Sequence, residues 1–464
     1  MFKNLNPFRI ILAVLILFVP LYPKFPLYSV NGTYVAIRLD DIIIALCFLT
    51  WFIFQIKNHF PIIKNKITAL FIAYFIAILI STLNAVLIYQ SSPPLVLLLN
   101  TFRRFEYISL FFITIEGIKK LKDFYFPYIF SLLAMVGIAI YGYGQKYFQF
   151  PVISTMNEEF SKGQLLQMNA WTRISSTFAG HYDLAAYLSL VLIIIISIAI
   201  ISKKKWLKTS SFILFLIGFH LLTLTASRVS IFSFWGSIII CLILLRRYLW
   251  VIPISILVIF SIVNSKDLNQ RLLATIPSLL IQINKQKPTT IPTPTTSVLP
   301  TPVVAIITNH VKYTPPTPTV FRHPPADEVT PVDMDAGVAR SGEIRFNVEW
   351  PRAITAFRKN PILGTGLGSI TLATDNDYLR FLGESGLFGF ISFIVIYIYL
   401  FIKTIPLVIK RPTDFQSQLS LIFFSVTICL FANAVFIDIF EASKVAYTIW
   451  IIMALYYQSL ELKK

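Results

Sequence analysis

Long apolar runs decide what this chain can become. Stretches of roughly 18 or more apolar residues can cross a bilayer as helices, because only a helix or a closed barrel satisfies every backbone polar group in lipid. We read twelve such runs, at about 8–22, 38–56, 67–89, 94–116, 124–147, 183–201, 207–225, 229–245, 248–264, 385–403, 417–437 and 444–460. Composition agrees: 56% of the 464 residues are hydrophobic and only 13% are charged. The expected fold is an all-α integral membrane protein with about 12 transmembrane helices and a large outer-side loop containing short helices.

A net charge of +18 would suit a nucleic-acid binder, but its placement points elsewhere. With a cytoplasmic N-terminus, one side of the membrane carries 19 Lys and Arg, among them Arg9, Lys119, Lys120, Lys203, Lys204, Lys205, Arg246, Lys403 and Arg411. The short loops opposite hold seven: Lys24, Arg38, Lys146, Lys162, Arg173, Arg228 and Lys444. That asymmetry follows the positive-inside rule, so both termini are expected in the cytoplasm and no nucleic-acid partner is expected. Cys47, Cys241 and Cys429 all fall in apolar runs, which excludes a disulfide framework in the outer loops and a Cys-rich metal site. The first run lacks a small-residue cleavage site, so it reads as a retained span.

Two outer loops are long, about 148–182 and 265–384. Within the second, residues 288–331 hold 11 Pro and 11 Thr, a composition for an extended linker or stalk with no packed core. Beyond it, Ile344, Val348 and Ala353 to Phe357 recur at helical spacing until Pro361 and the Gly364, Gly366 and Gly368 cluster end the pattern. An amphipathic helix lying on the outer membrane surface fits this segment. The three glycines lack a preceding strand and a following Lys-Ser/Thr, so they are no nucleotide loop.

Three segments together resemble the O-antigen ligase and O-antigen polymerase superfamily of polytopic membrane glycosyltransferases. They are "LTLTASRVSIFSFW" (222–235), "IRFNVEWPRAITAFRKNPILGTGLGS" (344–369) and "TDNDYLRFLGESGLFG" (374–389). The third is similar to the family's H-N-x-Y-L-x-x-L-x-E-x-G-x-x-G through Asn376, Tyr378, Leu379, Leu382, Glu384, Gly386 and Gly389. The resemblance covers about 207–440. It divides the chain into N-terminal helices (1–206), a ligase-like core (207–440) that includes the outer loop, and a last helix with a cytoplasmic tail (441–464). Where the family has His, this chain has Asp375.

The resemblance implies a polyisoprenyl-diphosphate-linked glycan as donor, a glycan or glycolipid hydroxyl as acceptor, and no metal or other cofactor. Expelling a lipid diphosphate calls for fixed cations, and the planar arginine fork pairs phosphate oxygens best. Arg228, Arg345 and Arg352 are therefore the expected diphosphate contacts. Arg103 and Arg173 follow, though Arg103 reads first as the ion-pair partner of Glu106 one turn away. For the base the candidates are Asp375, then Asp377 and Glu384, with His181 as an alternative; Asn376 and Tyr378 complete the expected site. Thr374 with Asp377 also reads as a capping box, and a helix N-terminus should depress the pKa of Asp375. Ligase and polymerase remain open, as do a lipid-linked-glycan flippase and an inactive glycan-binding relative.

Overall fold

The computed structural model describes residues 6–29, 36–154, 164–166, 173–270, 272–273, 344–370 and 373–462. The Pro/Thr-rich stretch and the expectation for it lie outside these residues. Contacts gather Met1–Asn269 with Glu343–Lys464 into one unit.

Helices dominate. In chain order they are α1 (Pro7–Leu21), α2 (Leu39–Lys57), α3 (Lys66–Asn84), α4 (Pro94–Gly117), α5 (Tyr125–Phe148), α6 (His181–Ile201), α7 (Lys205–Leu224), α8 (Arg228–Leu244), α9 (Val251–Asn264), α10 (Trp350–Lys359), α11 (Asp377–Ile409), α12 (Phe415–Ala434) and α13 (Ser443–Glu461). Each apolar run forms a helix, and among the described residues seven helices are long and apolar enough to cross a membrane. α1, α8 and α9 are shorter, while α4 carries Arg103, Arg104, Glu106 and Glu116 in its length. Two small hairpins depart from the all-helical expectation: β1 (Pro26–Ser29) with β2 (Ala36–Arg38), and β3 (Val152–Ser154) with β4 (Gln164–Leu166).

Which helices sit inside follows from their circumference. α6 is apolar all round, and both α6 and α13 are buried along nearly their whole length, as central helices are. Small hydroxyls let their neighbours come close: Asn433 donates to Ser189 (3.2 Å) and accepts from Ser230 (2.8 Å), and Ser420 meets Ser459 (2.9 Å). α2 and α9 instead turn Leu46, Leu49, Ile53, Ile252, Ile256 and Phe260 outward. A continuous apolar exterior of this kind belongs in lipid rather than water.

α11 breaks at Gly386 (φ +63°), which frees backbone groups that lipid cannot satisfy. Residues 361–366 take them up. Leu387 and Phe388 N–H donate to Pro361 and Ile362 (2.8 and 3.0 Å), and Thr365 and Gly366 N–H donate to Gly383 and Glu384 (3.0 and 2.8 Å). Backbone lies directly on backbone here: a Cβ on Gly386 would stand 2.3 Å from Ile362 O, and one on Gly364 2.4 Å from Glu384 O. Both glycines have positive φ, so the local fold requires them twice over.

Candidate functional site: an arginine cluster at one end of the bundle

The two ends of the bundle differ in charge. At one, Arg9 pairs with Asp123 (2.8 Å), Lys119 with Glu116 (2.7 Å) and Lys403 with Glu461, and Gln458 ties α13 to Ile115 and Ile118. These are the positions read as cytoplasmic, and they do lie together.

At the other end, arginines from three distant segments converge. Arg173 precedes α6, Arg228 opens α8 and Arg345 begins a π-helical turn, Arg345–Glu349, leading into α10. Tyr182 stands among them, close enough to interact with each, and the guanidinium groups feel one another. Arg173 also donates to His181 Nε2 (2.7 Å), so that ring carries its hydrogen on Nδ1, and it lies over the Tyr182 ring at 5.8 Å. All three arginines remain partly accessible.

Each presenting turn is held from behind. Gln145 accepts from Ser175 and Ser176 N–H (3.2 and 2.7 Å) and donates to Ser176 O (2.9 Å), fixing the turn between Arg173 and His181. Ser230 on α8 donates to Asn433, tying the Arg228 turn to α12. Ser176, Ala226 and Asp375 all hold positive φ (50°, 50° and 49°). Three strained non-glycine residues thus lie beside three groups of the same cluster, and strain of this kind collects at functional sites.

Asp375 meets Arg345 through one oxygen, which accepts from both Nε and Nη2 (2.9 and 2.7 Å). Asp438 creates this geometry by accepting the N–H groups on either side, from Thr374 (2.7 Å) and Asn376 (3.0 Å). The expected depression of the Asp375 pKa does not occur: burial raises it, Arg345 opposes the rise and Asp438 adds to it. Burial alone would lower Arg345, but Asp375 and Tyr182 outweigh burial and raise it.

Other expected site residues serve the fold. Asn376 is the N-cap of α11, accepting from Leu379 N–H (2.9 Å), so no Thr374–Asp377 capping box forms. Asp377 is buried and accepts from Ile439 and Phe440 N–H (2.8 and 3.4 Å). The Tyr378 hydroxyl donates to Phe431 O (2.8 Å). Glu384, also buried, pairs with Arg380 (3.4 Å). Arg380 was not singled out from the sequence; it further pairs with Asp438 (3.0 Å) and Glu441 (3.6 Å). Arg104 joins Glu441 and Phe440 O (2.8 Å), giving a network of two arginines and four carboxylates with Asp377.

Arg103 stands apart from the cluster, facing Tyr107, Asp41, Tyr447 and Glu106. The expected Arg103–Glu106 ion pair is not made among the described residues; Glu106 instead accepts from the Tyr447 hydroxyl (2.6 Å), and Arg104 makes the ion pair on this helix. Lys444, expected in an outer loop, is buried and donates to Pro20 O (3.0 Å) and Thr177 O (2.7 Å). Arg352 lies in the first turn of α10, within reach of Glu349. Glu349 too was missed, having no motif or spacing to mark it. Burial and the Asp375 charge push its pKa up to about 7.

With these groups placed, the chain can be set beside known proteins: a scan against family models and a search of curated proteins each find no match.

Proposed function

We propose that the protein is a membrane glycosyltransferase that moves a glycan from a polyisoprenyl diphosphate carrier to an acceptor hydroxyl at the outer face of the membrane. In this reading the twelve helices cross the bilayer, both termini are cytoplasmic, and the Arg173–Arg228–Arg345 end faces outward. One observation carries the reading: three arginines from separate segments converge around Tyr182 and remain partly accessible, with Asp375 paired to Arg345. A departing lipid diphosphate needs about two negative charges met by fixed donors, and burial beside the membrane strengthens each contact relative to water. Asp375 then orients Arg345. The chemistry asks for no metal, because the guanidinium groups supply the countercharge.

A second reading, a lipid-linked-glycan transporter, draws on the break in α11 and on the buried ionisable groups of α2, α4 and α13. One assay separates the two. Purified protein given a polyisoprenyl-diphosphate oligosaccharide should release lipid diphosphate, and Arg228→Ala should slow release by about 100-fold or more without unfolding the bundle. Wild-type protein that moves the carrier across vesicles without releasing diphosphate would establish the transporter, and an Arg228→Ala variant with unchanged turnover would remove that residue from the site.

A further inference from the structure

Three polar atoms within four residues are buried and lack a hydrogen-bond partner among the described residues: Glu349 Oε2, Trp350 Nε1 and Arg352 Nη1. Buried polar atoms call for partners, and these two donors and one acceptor sit on the segment that carries Arg345. A hydroxyl-bearing ligand complements them, since each hydroxyl both donates and accepts. The Trp350 ring is fixed in place, edge-on to Phe346 (4.6 Å between centroids) and tilted against Phe436 (6.2 Å).

Building on the transferase reading, we propose that Glu349, Trp350 and Arg352 form the acceptor subsite, with Glu349 taking the proton of the attacking sugar hydroxyl. The segment places this trio directly after Arg345, so an acceptor held there lies against a donor held by the arginines. As the acceptor oxygen bonds to the anomeric carbon of the donor, its proton passes to the Glu349 carboxylate. The anomeric carbon–oxygen bond to phosphate breaks, and its electron pair leaves with the lipid diphosphate. The proton is later surrendered to water.

Asp375 is the poorer base, because one oxygen already accepts two N–H groups of Arg345. Glu349 is faced by Asp375 and Asp438, which raise its pKa, and by Arg345 and Arg352, which lower it. Burial leads the balance and brings the group to about 7, where a general base works best at neutral pH.

The test follows lipid diphosphate release from pH 5 to 9, with one polyisoprenyl-diphosphate oligosaccharide offered as both donor and acceptor. Wild-type release should rise with pH through about 7, as the carboxylate loses its proton. Glu349→Gln should lower turnover by about 100-fold or more and flatten that rise, while donor binding and melting temperature stay at wild-type values. Glu349→Asp should restore part of the rate and its pH dependence. With a carrier-free oligosaccharide added as a separate acceptor, Trp350→Phe should raise the KM for that acceptor more than it lowers kcat. If Glu349→Gln keeps the wild-type rate and profile, Glu349 is not the base. If it loses donor binding, the residue belongs to the donor site and the proposal fails. If the wild-type protein releases no lipid diphosphate, the transferase reading fails first and takes the acceptor subsite with it.

Discussion

Two charged clusters lie close together and do opposite work. Around Arg380 the charges are cross-paired: Arg380 meets Glu384, Asp438 and Glu441, Arg104 meets Glu441, and backbone N–H groups bond one oxygen of Asp377 and both of Asp438. Around Tyr182 three arginines converge and stay partly accessible, and among the described residues Asp375 is ion-paired to one of them. Buried charges must be paired, or the fold suffers. Like charges gathered beside strained turns are what the proposed lipid diphosphate would meet. The motif-bearing segment 374–389 supplies mainly the first cluster, and of its residues only Asp375 reaches the second.

The contrast can be broken by mutation, with the largest effects expected in the deep cluster. Arg380→Ala strands Glu384 in the interior and takes one partner from Asp438 and from Glu441, and should destabilise the protein by about 3 kcal/mol or more, read as a large drop in melting temperature in detergent. Gly386→Ala puts a Cβ against Ile362 O at a positive φ, and a loss of about 2 kcal/mol or more is expected in the same melt. Tyr378→Phe removes the hydrogen bond to Phe431 O and should cost about 1 kcal/mol. Arg228→Ala should shift stability least, within about 0.5 kcal/mol, while abolishing lipid diphosphate release. If Arg228→Ala melts as early as Arg380→Ala, the two clusters are one structural network and the distinction falls.

Much of this architecture was legible in the chain. The apolar runs located most of the helices to within a few residues, because a lipid-facing helix must be apolar along a predictable length, while α11 begins eight residues before its run, at the polar stretch that opens it. The gathering of Arg173, Arg228 and Arg345 at one end followed from counting crossings. What periodicity could not show was partnership between distant segments. Asp438 and Glu441 lie in the turn before α13, about 60 residues from the acids they accompany, and nothing local announces that Arg380 will bind them. Arg103 and Arg104 are neighbours with opposite fates, since one residue of helix rotation turns Arg104 to Glu441 and Arg103 to Asp41. The residue at 375 sits in the left-handed region, which Asp, Asn and His populate most readily of the larger residues, so that turn accepts Asp where the resembled pattern has His.

The seam between residues 361–366 and the break in α11 has a thermodynamic consequence. α10 is tethered at both ends: before it Arg345 grips Asp375, and after it Pro361 and Ile362 are bonded to Leu387 and Phe388. The segment that carries Arg345, Glu349 and Arg352 is therefore already ordered. A ligand arriving there need not supply the free energy to freeze a loop, so more of its contact energy is expressed as affinity or as rate.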